Sequence, residues 1–232
     1  MSRSRPTSGS ANPAVRTLEW KGGAGHWRYW DKAASAVVTQ DAIRFAVLDE
    51  LSSISGFAES YGNSGYSNEV HSTKREPLEV KVFTGKGQTK TVATGLYDDI
   101  KGDIPAGLKY TKVIYALDLD TKETVRLLLT GAALSAWIDS EIDKRGGIVQ
   151  DSVTEGKKGA VKYKMPVFRE AEMEDGDEAL ALEADKVLQA YLDAKAGGGK
   201  PAAAAADDDP PAESVPVDDY DGDAPIDDAP PF

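Results

Sequence analysis

The chain predicts a mainly β fold, an antiparallel barrel or sandwich with one or two helices added. Three observations lead there. Short stretches rich in β-branched and aromatic residues recur between residues 18 and 170, separated by Gly-rich punctuation. Several of them alternate apolar and charged residues at the period of a half-buried strand, Pro77-Leu-Glu-Val-Lys-Val-Phe most clearly. Only two long segments carry helical spacing instead.

Residues 1–15, rich in Ser, Arg, Pro and Gly, read as a flexible N-terminus. Leu18-Glu-Trp-Lys and Trp27-Arg-Tyr-Trp-Asp read as strands joined by the Gly22-Gly-Ala-Gly turn. Ile43-Arg-Phe-Ala-Val-Leu is a third strand. Leu51 to Gly65, punctuated by Ser and Gly, reads as a loop, and Tyr66-Ser-Asn-Glu-Val as a short strand. Thr91 to Lys101 fits a short strand or a helix. Tyr110 to Leu117 and Thr124 to Thr130 form a hairpin about Asp118 to Lys122. In Ala132 to Lys144, the apolar Leu134, Trp137, Ile138 and Ile142 mark an amphipathic helix that Gly146-Gly stops. Lys158 to Arg169 alternates again and closes the β domain, set at residues 16–170. Residues 171–196 hold the second helix, with Leu180, Leu182, Val187, Leu188, Tyr191 and Leu192, ended by Gly197-Gly-Gly. Residues 197–232 are rich in Ala, Asp and Pro, too poor in apolar bulk to offset the entropy of ordering, and read as a disordered tail.

Charge is divided along the chain. Residues 201–232 carry ten carboxylates and no Lys or Arg, and residues 171–200 carry eight acids against three bases. Residues 1–170 are left with 24 basic and 21 acidic side chains, although the chain as a whole stands at −12. A mildly basic body with an anionic end suits a polyanion-binding domain. Without Cys, disulfides and thiolate metal sites are excluded, and with only His26 and His71 a zinc site is not expected. No apolar run approaches a membrane span, and no apolar segment follows the basic N-terminus as in a secretory signal. The expectation is a cytoplasmic protein without cofactor.

Three clusters pair aromatic with basic residues, as a surface that stacks bases and holds phosphates requires. The first is Trp20, Trp27, Arg28 and Trp30. On a strand, Trp27 and Tyr29 point one way and Arg28 and Trp30 the other, so one face is open to core packing. The second is Tyr61, Tyr66, His71, Lys74 and Arg75, in a stretch read as surface loop. The third is Lys109, Tyr110 and Lys112. Lys157, Lys158, Lys162 and Lys164 repeat the basic theme, for phosphate binding or for plain solvation. Glu79-Val-Lys81 matches the acid-x-Lys of metal-dependent nucleases, a pattern any alternating strand produces. No P-loop or nucleophile elbow accompanies it, so no enzyme is expected. The tail ends in Asp227, Asp228, Ala229, Pro230, Pro231 and Phe232, where an apolar ring and a terminal carboxylate suit a pocket with a basic mouth. Its acids are also placed to compete with a nucleic acid for the basic body.

That ending resembles the tail tip of bacterial single-stranded DNA-binding proteins, Asp-Asp-Ile-Pro-Phe, with Ala229-Pro230 in place of Ile-Pro. The body is similar to phage single-stranded DNA-binding proteins in Trp27 to Asp31, Phe45-Ala-Val-Leu-Asp-Glu-Leu, Ser55-Gly-Phe, Tyr66-Ser-Asn-Glu-Val, Gly95-Leu-Tyr-Asp-Asp-Ile-Lys and Tyr110-Thr-Lys. The resemblance implies an OB-fold, a Greek-key barrel that binds single-stranded DNA across one face. It also implies a tail that recruits replication, recombination and repair proteins, in a host-cell cytoplasm if phage-encoded. A β-domain adaptor that binds protein instead of DNA, and a Mg²⁺-dependent nuclease at Glu79 and Lys81, are the alternatives. The second helix can pack on its own barrel or on another subunit, which leaves a homodimer open.

Overall fold

The computed structural model describes residues 11–85 and 87–196. The tail residues Asp227, Asp228, Pro230, Pro231 and Phe232 lie outside them. The elements run β1 (Arg16–Lys21), β2 (His26–Asp31), β3 (Ala36–Gln40), β4 (Ile43–Ala58), a 3₁₀ turn (Glu59–Tyr61), β5 (Asn63–Ser67), β6 (Leu78–Gly85) and β7 (Gln88–Gly95). There follow α1 (Tyr97–Ile100), β8 (Leu108–Asp118), β9 (Thr124–Thr130), α2 (Gly131–Ile138), β10 (Gly147–Lys158), β11 (Val161–Ala171) and α3 (Asp177–Ala196). The fold is mainly β. No helix among the described residues is long and apolar enough to cross a membrane.

All eleven strands join one sheet, in the order β3-β2-β1-β9-β8-β4-β5-β6-β7, with β10 and β11 branching from β4. The sheet is not closed into a barrel, and it is mixed, because β1 pairs parallel to β9. Both points correct the expected antiparallel barrel, and both follow from β4. At sixteen residues it outruns a small barrel. One edge pairs with β8 from Phe45 to Gly56. The other is shared, by β10 at Ile43–Ala46 and by β5 at Ser55–Ala58. Those two partners diverge, and the segment between β5 and β6 fills the fork through the Ser52–Val70 bridge. The loop expected over 51–65 is therefore mostly strand, interrupted only by the 3₁₀ turn at Glu59–Tyr61 and Gly62. Ser55 and Gly56 sit between inward Ile54 and Ala58, both fully buried.

The fork gives two cores on one face of the β4–β8 pair. Leu18, Trp20, Trp27, Phe45, Ile114, Leu127, Ile148 and Phe168 form the first, which Trp137 of α2 caps. Ile54, Leu78, Val80, Val82, Tyr97 and Leu108 form the second. The gap between β11 and the β1–β2 turn is bridged without a ladder. Lys164 N–H donates to Gly22 O (2.8 Å), Trp20 Nε1 to Lys164 O (3.0 Å) and Trp27 Nε1 to Gln150 Oε1 (2.6 Å). The helix expected to reach Lys144 stops at Ile138, while Ile142 still packs on the first core from the following loop. Strands β3 and β10 had no signature in the sequence reading.

On the opposite face, α3 lies over Leu51, Val113 and Tyr115 through Leu188, Tyr191 and Leu192. It belongs to the body of the domain. Ala14 packs there too, and Val15 N–H donates to Thr124 O (2.9 Å), so the ordered chain begins before residue 16. Three polar contacts pin the helix: Lys122–Asp177 (2.6 Å), Gln189–Asp49 (3.2 Å) and Lys195–Glu69 (3.1 Å). Glu69 also accepts the Tyr115 hydroxyl (3.1 Å), whose pKa burial pushes well above the ordinary phenol range.

Leu188 is the one fully buried apolar side chain of α3. Leu188→Ala is expected to cost about 2–5 kcal/mol in urea unfolding, the range for a buried leucine. The Lys122 ammonium, then the Glu174 N–H, hold the Asp177 carboxyl below the usual range. A lowered carboxyl contributes stability above its unfolded-state pKa of about 3.9, and loses it as pH falls through the lower folded value. Asp177→Asn is therefore expected to flatten the decline of stability below about pH 4.

Candidate functional site

The expected site residues separate into three places. Trp20 and Trp27 are core residues, 6% and 0% exposed, meeting edge-to-face at 5.3 Å with both indole N–H groups satisfied internally. They are removed from any DNA-facing surface. The strand alternation places them there, since Trp27 faces inward while Arg28 and Trp30 face outward on β2. Arg28 lies 3.8 Å from Glu19, and Trp30 is half-buried.

His71, Lys74, Tyr110 and Lys112 come together, although 41 residues separate the first from the last. With Ser52, Trp137 and Lys144 they line a cavity of about 360 Å³ between the two cores. Glu50 sits at its centre. Its carboxylate takes the Trp137 Nε1–H (3.2 Å) and lies 3.7 Å from Lys112 and 3.4 Å from Lys144. Lys144 also stands 4.4 Å from the Trp137 ring centroid. The Tyr110 hydroxyl donates to Ser52, and His71 pairs with Asp49 at 3.0 Å. Carboxylates occupy Lys112, Lys144 and His71 of this cleft, while Lys74 is exposed; Trp137 is sealed into the first core and Tyr110 is partly buried against the second. Arg75 lies on the exposed turn beside it, and Tyr61 packs on the second core under Lys90.

Tyr66 and Lys109 belong to a third place. The outer face of β4, β5, β6 and β8 is covered by α3 only at the Leu51–Tyr115 end. Beyond it the register puts five side chains on one open face. Ser55 opposes both Tyr66 and Lys109, Phe57 lies two residues on, and Tyr66 opposes Lys81. Phe83 follows Lys81 at the same alternation, its ring 5.5 Å from that of Tyr66. Phe57 is 53% exposed. Glu79 pairs with Lys81 at 2.9 Å and accepts the Thr91 hydroxyl, and those two bonds, Lys81 first, hold its carboxyl below the ordinary range. The acid-x-Lys pair is an ion pair here, and among the described residues no group of three or more His, Asp or Glu side chains is placed to hold a metal.

No protein-family model, curated protein or solved structure matches this chain.

Sequence reading missed Phe57, Lys81 and Phe83 as a surface. Phe57 was assigned to a loop and Phe83 to a half-buried strand. The signal that finds them is register, since Lys81 and Phe83 share the parity opposite to Val80 and Val82. Two glycines fix the ground under Phe57. At Gly107 (φ +88°), a Cβ would stand 2.1 Å from the Phe57 carbonyl oxygen, and at Gly56 (φ +139°) 2.6 Å from Gly107 O. Both the conformation and the close approach require glycine. Gly107→Ala is expected to lose at least about 1 kcal/mol by chemical denaturation, the penalty for a side chain at an incompatible φ.

Proposed function

We propose that the protein binds single-stranded DNA non-specifically, coating strands exposed in replication, recombination and repair, and that the open face of Phe57, Tyr66, Lys81, Phe83 and Lys109 is the surface that does so. The observation that carries this is a large aromatic left half-exposed on a regular strand, with two further rings and two lysines on the same face. A flat sheet face is a poor site for a compact ligand. Rings spaced along it offer π-faces to successive bases, and interleaved ammonium groups meet the phosphates between them. Every base has such a face, so binding of this kind carries little sequence preference. The acidic tail, with Phe232 at its tip, supports the second half of the reading, recruitment of partner proteins to the coated strand.

The cleft is the competing surface, and the variants separate the two. Phe57→Ala and Tyr66→Ala are each expected to weaken binding of a labelled oligonucleotide by about 1–3 kcal/mol, the value of one stacked base. Lys109→Ala is expected to reduce the slope of log K against log salt by about 0.7, and Lys112→Ala to leave it unchanged. Affinity that ignores salt, or equal loss from Lys112→Ala and Phe57→Ala, defeats the assignment. Glu79→Gln removes an anion from the face and is expected to tighten strand binding. A nuclease centred on Glu79 predicts the opposite, loss of Mg²⁺-dependent cleavage.

A further inference from the structure

The hairpin of β10 and β11 continues well past the sheet. Its root pairs with β4 at Gly147–Gln150. After the irregularity between Gln150 and Ser152 the two strands pair only with each other, as far as Lys158 and Val161. This ribbon is about 20 Å long at the usual strand rise, and its outer half, beyond the Glu155–Lys164 pair, is unsupported. Lys164, opposite Glu155, anchors its middle to the β1–β2 turn, with its backbone on Gly22 and its Nζ on Ala24 O (3.2 Å). The outer part is exposed and basic. Lys157 and Lys162 stand directly opposite each other, Lys158 follows, and Glu155 is the one acid among them. Among the described residues, Lys157, Lys158 and Lys162 have no carboxylate partner.

Facing like charges destabilise a strand pair, and a two-stranded ribbon without a third strand is already marginal. Gly156 is shaped to keep the ribbon rigid, since the Tyr163 ring lies where its Cβ would be, at 2.4 Å. That packing covers one face of the arm's one aromatic, which is partly buried. The arm therefore offers mainly charge, three lysines to one partly buried ring, whereas the face around Phe57 offers three rings with two lysines. A single strand is held by rings and charge together at that face, whereas a duplex keeps its bases stacked and presents phosphates at about one charge per 1.7 Å. A two-stranded ribbon also has the width that the major groove admits. We infer that the β10–β11 arm grips the phosphate backbone of duplex DNA next to a single-stranded segment, so that the protein engages the junction between the two. This deepens the strand-binding reading and takes DNA as the ligand from it.

The test uses full-length protein and three fluorescein-labelled DNAs: a single strand, a blunt duplex and a duplex with that strand as overhang. The overhang duplex is expected to bind at least fivefold tighter than the strand alone. The double variant Lys157→Gln/Lys162→Gln is expected to remove that gain, lower the salt slope on the overhang duplex by about two, and leave single-strand affinity within twofold. Lys157→Arg/Lys162→Arg keeps the charge and is expected to restore the junction preference. A junction bound no tighter than its strand overturns the inference. So does equal loss on strand and junction, or a variant that changes only self-association in sedimentation, which makes the arm's partner a carboxylate-rich protein segment. Wild-type protein that binds the blunt duplex but not the strand removes the strand-binding reading and leaves the arm's role standing.

Discussion

The pairing of β4 with β8 is the constraint from which the rest of the structure follows. It runs from Phe45 to Gly56 on one side and from Leu108 to Asp118 on the other, with a single irregularity between Val47 and Asp49. A strand that long cannot keep one neighbour along its free edge and still curl into a small barrel, because right-handed twist turns its two ends away from each other. The free edge is split between β10 and β5, and each partner brings its own hairpin. Two cores form on one face, with a polar cleft where they part. On the other face a single helix covers one half and leaves the other bare. The cleft and the open face are thus consequences of one strand's length.

The same geometry decides which cations are available. At the cleft, Glu50 stands between Lys112 and Lys144 and holds the Trp137 indole N–H besides. Half-buried charges need such partners, and here they join α2 and its following loop to the sheet. On the open face the ion pair is shorter but more exposed, Glu79 at 46% against 25% for Glu50. Glu79 meets Lys81 side by side on one strand, where solvent screens the interaction. An incoming phosphate displaces little there, while in the cleft it would have to displace a carboxylate that the fold uses. This difference in cost, and not the number of lysines, favours the open face over the cleft.

Much of the architecture was legible in the sequence. The β1–β2 and β8–β9 hairpins and the span of α3 follow from alternation, turn glycines and helical spacing, all of which are local. The inward turn of Trp27 and the outward turn of Arg28 and Trp30 were likewise readable from period two. What was not legible is long-range. The 51–65 segment reads as loop because Ser and Gly are turn formers, yet here Gly56 answers the close approach of Gly107, fifty-one residues away. Propensity sees the residue and not the neighbour. The parallel β1–β9 pair and the fork at β4 are of the same kind. The expected site residues show the limit most clearly: the aromatic and basic clusters were found, but Tyr110 and Lys109, adjacent in sequence, point to opposite faces and belong to different surfaces.

That opposition bears on how the two halves of the molecule relate. On β8, Lys109 reaches the open face while Tyr110 and Lys112 face the cleft, so a load on one surface is carried by the strand that lines the other. Helix α3 touches the same strand through Val113 and Tyr115. Its contact at Glu69 sits on the segment that also supplies His71 and Lys74 to the cleft, and the Asp49 it meets on β4 pairs with His71. From Asp177, beside the β8–β9 turn, to Lys195, beside Glu69, the helix runs toward the uncovered aromatics. The described helix ends at Ala196, one residue past the Lys195–Glu69 contact. On the proposed function, a strand lying on the face of Phe57 and Lys109 loads the Leu108 end of β8, and α3 packs on the same strand at Val113 and Tyr115, so β8 is the physical path between that face and the helix.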